Sequence, residues 1–154
     1  MTPEDFISIM GPAARRICLA YNLPASVCIA QAAIESGWGA SVIGNYNYFG
    51  RKAVAGDASE AHATQEYING HYVDTVADFK SYSCLEDAIE DWCILIRKEP
   101  VYAQAAAVWD SGWNLTDFVN ALAHVYATDP GYAEKVLATI AANNLTVYDH
   151  PAEG

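Results

Sequence analysis

The chain has 154 residues, 19 of them Asp or Glu and 8 Lys or Arg, for a formal net charge of -11. Its 53% hydrophobic and 18% charged content supplies enough apolar side chain for a core and too much for a disordered chain. The acidity speaks against a nonspecific nucleic-acid binder and against docking on an anionic membrane, because both need a basic surface.

In chain order, Thr2-Pro3-Glu4-Asp5 reads as a helix start: a capping Thr, Pro in the first turn and acids at the positive end of the dipole. Phe6, Ile9, Met10, Ala13 and Ile17 follow at helical spacing. Asn22-Leu23-Pro24 breaks this helix and starts a second over 24–36, ended by Gly37 and Gly39. Residues 44–50 read as an ordered aromatic loop, and residues 53–63 as a small, polar, flexible one. Glu66-Tyr67-Ile68, Asn69-Gly70 and His71-Tyr72-Val73 form a hairpin signature, with Asn-Gly favouring a type I′ turn. A further extended piece over 76–82 would complete a small sheet. Ser83 with Glu86 reads as a capping box for a helix carrying Leu85, Ile89, Trp92 and Ile96 on one face and closed by Pro100. Shorter helices are predicted at 101–109 and 116–126. A last helix starts at Asp129-Pro130 and ends at Asn143-Asn144, followed by a loose tail. The pattern predicts an α+β fold, mostly helical, with a small β lobe at about 53–82, forming one domain over residues 1–150 and leaving 151–154 loose.

The uncharged stretch from Arg16 to Glu35 is interrupted by Asn22, Pro24, Ser26 and Gln31, so no membrane insertion is expected. The acidic N-terminus lacks a signal-peptide pattern. Cys18, Cys28, Cys84 and Cys93 have no metal-site spacing and read either as disulfides or as buried thiols; Cys84 and Cys93 are too far apart along one helix to bridge each other. His62, His71, His124 and His150 show no metal spacing either, and no cofactor motif is present, so neither metal nor cofactor is expected.

The hairpin interrupts an otherwise helical chain, and such insertions often wall a cleft. This directs attention to Glu35, at the C-terminal end of an uncharged helix. There the helix dipole favours the protonated carboxyl, and Trp38 would desolvate it, as a general acid requires. Asp87 and Asp91 read as solvated helix face, and Asp129 as a helix cap rather than a catalytic acid. Trp92 reads as packing, while Trp109 and Trp113 have no evident place.

The segment Gln31-Ala32-Ala33-Ile34-Glu35-Ser36-Gly37-Trp38-Gly39 resembles the signature of the peptidoglycan N-acetylglucosaminidases of glycoside hydrolase family seventy-three, which include the flagellar wall hydrolases. Four further segments resemble the family's motifs in order: Asn45-Tyr46-Asn47-Tyr48-Phe49-Gly50-Arg51-Lys52-Ala53, Ala63-Thr64-Gln65-Glu66-Tyr67, Phe79-Lys80-Ser81-Tyr82-Ser83 and Tyr126-Ala127-Thr128-Asp129-Pro130-Gly131-Tyr132-Ala133-Glu134-Lys135-Val136. The resemblance implies a lysozyme-like fold with a glycan cleft between helical body and β lobe. It implies Glu35 as general acid, Glu66 as second carboxylate and Tyr126 beside the cleaved sugar. Trp38, Asn45, Asn47, Tyr48 and Phe49 are the expected substrate-binding residues.

The implied activity is hydrolysis of the β-1,4 bond after N-acetylglucosamine, with peptidoglycan glycan strands as the partner. The inverting, retaining and substrate-assisted routes all remain open. A lytic transglycosylase or muramidase-type lysozyme, and a non-catalytic wall-binding module, are the alternatives. Action in the periplasm or cell wall without a signal peptide would imply delivery by a holin, by a secretion system or within a larger protein. A secreted effector would further imply an inhibitor or immunity protein. A monomer is expected, with the acidic charge on the back of the molecule and a less negative cleft.

Overall fold

The computed structural model describes residues 1–152; within the first strand, the side chains of Glu60, His62, Ala63, Thr64, Glu66 and Tyr67 lie outside the described residues. Six α-helices and one hairpin follow in the order α1 (Pro3–Ala20), α2 (Ala25–Ser36), β1 (Ser59–Ile68), β2 (His71–Lys80), α3 (Leu85–Lys98), α4 (Ala103–Gly112), α5 (Leu115–Tyr126) and α6 (Tyr132–Ala142). Short 3-10 turns occupy Pro100–Tyr102 and Leu145–Asp149. No helix among the described residues is long and apolar enough to cross a membrane.

α2 is the structural axis. It is mostly apolar, and ten of its twelve residues are buried, as expected of a helix enclosed by others. Its alanines let α1, α6 and the 145–149 turn pack closely around it. Pro24 cannot cap the helix with its side chain. Asp149 does so instead, accepting hydrogen bonds from the Ser26 amide and hydroxyl, both at 2.7 Å. The stretch after Asn144 is therefore docked, with Leu145 fully buried, where the sequence suggested a loose tail. At its other end α2 stops at Gly37, whose left-handed φ of 57° is continued by Trp38 at 59°.

α1 begins as its sequence predicts, with a reciprocal capping box between Thr2 and Asp5. α3 does not: Cys84 is the cap residue, no side chain caps the helix, and it starts at Leu85. The core runs through Phe6, Met10, Ile29, Trp92, Phe118 and Leu122. The four cysteines are free thiols, three of them buried, so the disulfide alternative does not hold in this structure. The sulfurs of Cys18 and Cys93 stand 3.7 Å apart.

The hairpin is longer than the sequence pattern indicated. The strands pair antiparallel from Ser59 opposite Lys80 to Ile68 opposite His71. Most of the predicted flexible segment is thus linker into β1, and the predicted third piece is the far half of β2. Asn69 and Gly70, with φ of 50° and 82°, form the expected I′-type turn. Tyr72 and Val76 of β2 are 73% and 68% exposed, so this arm stands away from the body. It is fastened at its base, where Phe79 is buried, Lys52 bridges to Phe79, and the Ala53 and Lys80 amides donate to Asp78 and Arg51 carbonyls.

Candidate active site

The periodicity of α2 places Gln31 and Glu35 on one face, one turn apart. Gln31 is fully buried, whereas Glu35 sits where that face emerges beside the loop after Phe49. The opening is a cleft of about 530 Å³ lined by Glu35, Phe49, Arg51, Lys52, Tyr102 and Tyr126 and closed at one side by residues 127–129.

Tyr126 ends α5 and Tyr132 begins α6, and the turn between them is locked. One Asp129 carboxylate oxygen accepts from the Gly131 amide at 2.8 Å and the other from Lys135 Nζ at 2.8 Å. Asp129 thus holds the turn rather than capping α6 as the sequence suggested; the residue at the cap position is Gly131, and no side chain caps the helix. The Lys135 contact keeps the Asp129 carboxyl below its ordinary range, so it stays ionised and is spoken for. The turn brings the two tyrosine rings into a near-parallel stack, 5.8 Å between centroids and 14° between planes. Tyr126 Oη donates to the Phe49 carbonyl at 3.4 Å, and Tyr132 Oη donates to Glu35 Oε1 at 3.1 Å.

Glu35 keeps an open face to the cleft, but the protein crowded around its carboxyl raises its pKa above the ordinary value. The Tyr132 hydroxyl, and Lys135 more weakly, pull in the opposite direction without cancelling the rise. The result is a carboxyl that holds its proton longer than a surface Glu, with one oxygen hydrogen-bonded to Tyr132, on a residue that lines the cleft. That is the condition for protonating a leaving oxygen.

The other expected site residues divide. Phe49 lines the cleft, mostly buried and stacked on Trp92 at 6.5 Å. Asn47 does not reach substrate space: it is 1% exposed, its Nδ2 donates to the carbonyls of Arg51 and Lys80, and its Oδ1 accepts from the Arg51 amide, each at 2.9 Å. It shapes the loop. Asn45 is exposed and donates to Ser81 Oγ at 3.1 Å, again tying the loop to the segment after β2. Trp38 and Tyr48 pack edge-on against Phe6 of α1, at 5.7 and 6.0 Å, and are not among the residues lining the Glu35 cleft. The left-handed turn at Gly37 and Trp38 carries the chain back towards α1, where Trp38 packs on Phe6. The side chain of Glu66 lies outside the described residues. Trp109 and Trp113 stack on each other at the end of α4, away from this cleft.

Two roles escaped sequence reasoning. Tyr132 enters the sequence reading only as part of the segment 126–136, with no role of its own. Asp91, read as solvated, is a hub: it receives Arg51 Nη1 at 3.0 Å, Lys80 Nζ at 3.2 Å and the Tyr82 hydroxyl. It joins α3 to the cleft loop and to the foot of the hairpin. The cleft itself carries Arg51 and Lys52 alongside Glu35 and Asp129, so it is less acidic than the molecule as a whole. Among the described residues, no three His, Cys, Asp or Glu side chains are grouped to hold a metal ion.

Comparison with known proteins decides the family. The model of the glucosaminidase family, described as mannosyl-glycoprotein endo-beta-N-acetylglucosaminidase, matches residues 11–145. The chain belongs to this glucosaminidase family. It is 37% identical to an autolysin of Enterococcus faecalis across 99% of its own length, and 36% identical to the peptidoglycan hydrolase FlgJ of Pseudomonas aeruginosa across 86%. It spans only 22% and 35% of those two proteins. The catalytic domain of the autolysin Auto from Listeria monocytogenes has the same fold, with a TM-score of 0.82 and 34% identity, covering 95% of this chain and 86% of that domain.

Proposed function

We propose that this glucosaminidase-family chain is a peptidoglycan hydrolase that cuts the β-1,4 bond after N-acetylglucosamine, acting in the periplasm or cell wall as one catalytic unit over residues 1–150. The observation that carries the reading is the placement of Glu35, hydrogen-bonded to Tyr132 at 3.1 Å, in the wall of a cleft of about 530 Å³, and the burial that raises its pKa supports it. Glu35 protonates the glycosidic oxygen as the bond breaks. Tyr126 stands beside the cleaved sugar, and Glu66 on the hairpin supplies the second carboxylate. Arg51 and Lys52 give the cleft cations that offset Glu35 and Asp129 and tolerate the carboxylates of peptidoglycan stem peptides. A dedicated inhibitor protein would accompany the chain if it is delivered as an effector.

Glu35→Gln tests the reading. Loss of a general acid lowers turnover by about 10²–10⁴-fold, measured on purified sacculi, while the fold is retained. Mass spectrometry of the fragments should show reducing N-acetylglucosamine ends. Anhydromuramic ends would instead mark a lytic transglycosylase, and binding of sacculi with no new ends a wall-binding module.

A further inference from the structure

Behind Glu35 lies an uninterrupted line of buried polar groups. Trp92 Nε1 donates to Gln31 Oε1 at 2.6 Å, Gln31 Nε2 donates to Tyr132 Oη at 3.1 Å, and Tyr132 Oη donates to Glu35 Oε1 at 3.1 Å. Gln31 is fully buried, Trp92 is 1% exposed and Tyr132 4%. Three elements contribute: α3 supplies Trp92, α2 supplies Gln31 and Glu35, and α6 supplies Tyr132.

The direction of every bond follows from chemistry. An indole N–H can only donate, so the Gln31 amide must turn its oxygen towards Trp92. Its NH₂ then faces Tyr132 and donates to the phenol oxygen. The phenol's own proton is thereby turned away from Gln31, and Glu35 is its acceptor. We infer that Gln31, held in one amide orientation by Trp92, is a positioning residue that aims the Tyr132 hydroxyl proton at Glu35 and so fixes the carboxyl's orientation and proton affinity. This rests on the reading of Glu35 as the general acid.

A core Gln with only a packing role would not need a donor-only partner on one side and a carboxylate-bound phenol on the other. Donation from Gln31 also makes Tyr132 a better donor, since it opposes the upward pressure of burial on the phenol's pKa. The other charged groups near Glu35 are Lys135 of α6, Asp129 of the α5–α6 turn, and Arg51 and Lys52 of the loop. Tyr126 and Tyr102 are the further titratable groups lining the cleft among the described residues, and Glu66 is the carboxylate proposed to reach it from the hairpin. None of these touches Gln31 or Trp92 by hydrogen bond among the described residues; Trp92 does stack on Phe49, whose carbonyl accepts from Tyr126, and Trp92→Phe keeps an aromatic ring there.

The test uses Gln31→Met, Trp92→Phe and Tyr132→Phe. Each removes a polar link while keeping much of the volume. Two readouts are taken: the alkaline limb of the kcat/KM profile on sacculi, and the titration of the Glu35 carboxyl by NMR in ¹³C-Glu-labelled protein, assigned by loss of its signal in Glu35→Gln. Tyr132→Phe removes a donor to the carboxylate and moves both midpoints up by about 1 pH unit. Gln31→Met and Trp92→Phe move them in the same direction by about half as much, the latter because the freed amide can flip and accept the phenol proton. Adding Gln31→Met to Tyr132→Phe produces no further shift. Carboxyl midpoints that stay within about 0.2 unit of wild type in both Gln31→Met and Trp92→Phe would overturn the inference, whatever happens to kcat. Should Gln31→Met not fold, Trp92→Phe decides alone. A carboxyl that titrates as expected in a wild-type protein inert on sacculi would support the relay and refute the hydrolase reading.

Discussion

Substituting Asp91 by Asn tests whether the hairpin and the cleft loop are fastened through one side chain. The Asp91 side chain is 21% exposed, and its partners Arg51 and Lys80 are 21% and 16% exposed. Hydrogen bonds to charged groups contribute about 1.5–3 kcal/mol each when shielded, and fully exposed ion pairs about 0–1 kcal/mol. With about a fifth of each side chain reaching water, the three contacts lie between those limits. Asn keeps a hydrogen-bonding oxygen but removes the charge that holds two cations together. Among the described residues, the remaining anion near Lys80 is Asp57, at 3.8 Å. The expected loss is about 2 kcal/mol, which for a chain of this size lowers Tm by about 4–8 °C. Because Arg51 also lines the Glu35 cleft, KM for sacculi should rise as well. Scanning calorimetry measures the first effect, with Glu90→Gln, an exposed acid one residue earlier on α3, as control. A Tm within about 1 °C of that control would refute the claim that Asp91 organises the site.

Other substitutions probe the rest of the scaffold. In an open helix Gly11→Ala would stabilise by about 1 kcal/mol, but here an added methyl would meet the Tyr148 ring at 2.5 Å. The variant should therefore melt lower than wild type in a thermal denaturation followed by circular dichroism. Asp149→Ala removes the side-chain cap of α2 and should cost about 1–2 kcal/mol in urea unfolding. For pH, the sign follows from the raised folded-state pKa of Glu35: the required proton is present below it and lost as pH rises through it. Turnover should therefore fall on the alkaline side, with the midpoint above that of an ordinary Glu, as a rate profile on sacculi will show. The same shift means the ionised carboxyl disfavours folding over that window, so Glu35→Gln should melt no lower than wild type at neutral pH.

What the sequence revealed was local. The Thr2 cap, the Asn69-Gly70 turn, the stop at Gly37 and the uncharged helix leading to Glu35 each depend on a few consecutive residues, and each is where the pattern placed it. What it concealed depends on residues far apart in the chain. Asp91 looks solvated because its own helix faces water there; its partners come from residues 51, 80 and 82. Asn47 sits in a segment that resembles a binding loop, yet its amide is consumed by neighbouring backbone. Tyr132 fits the apolar stripe of α6, and only the fold shows its hydroxyl on Glu35. Gln31 was the readable clue: a lone amide four residues before Glu35, on the same face of a helix otherwise without polar need.

The helix that carries Glu35 is held at both ends by the last part of the chain, by Asp149 at its start and by Tyr132 at its finish. During synthesis Glu35 leaves the ribosome 97 residues before Tyr132, and Asp149 follows later still. A nascent or prematurely terminated chain carries Glu35 without its cleft. The order of the segments alone therefore leaves the surroundings of Glu35 unfinished until residues 132–149 have been made.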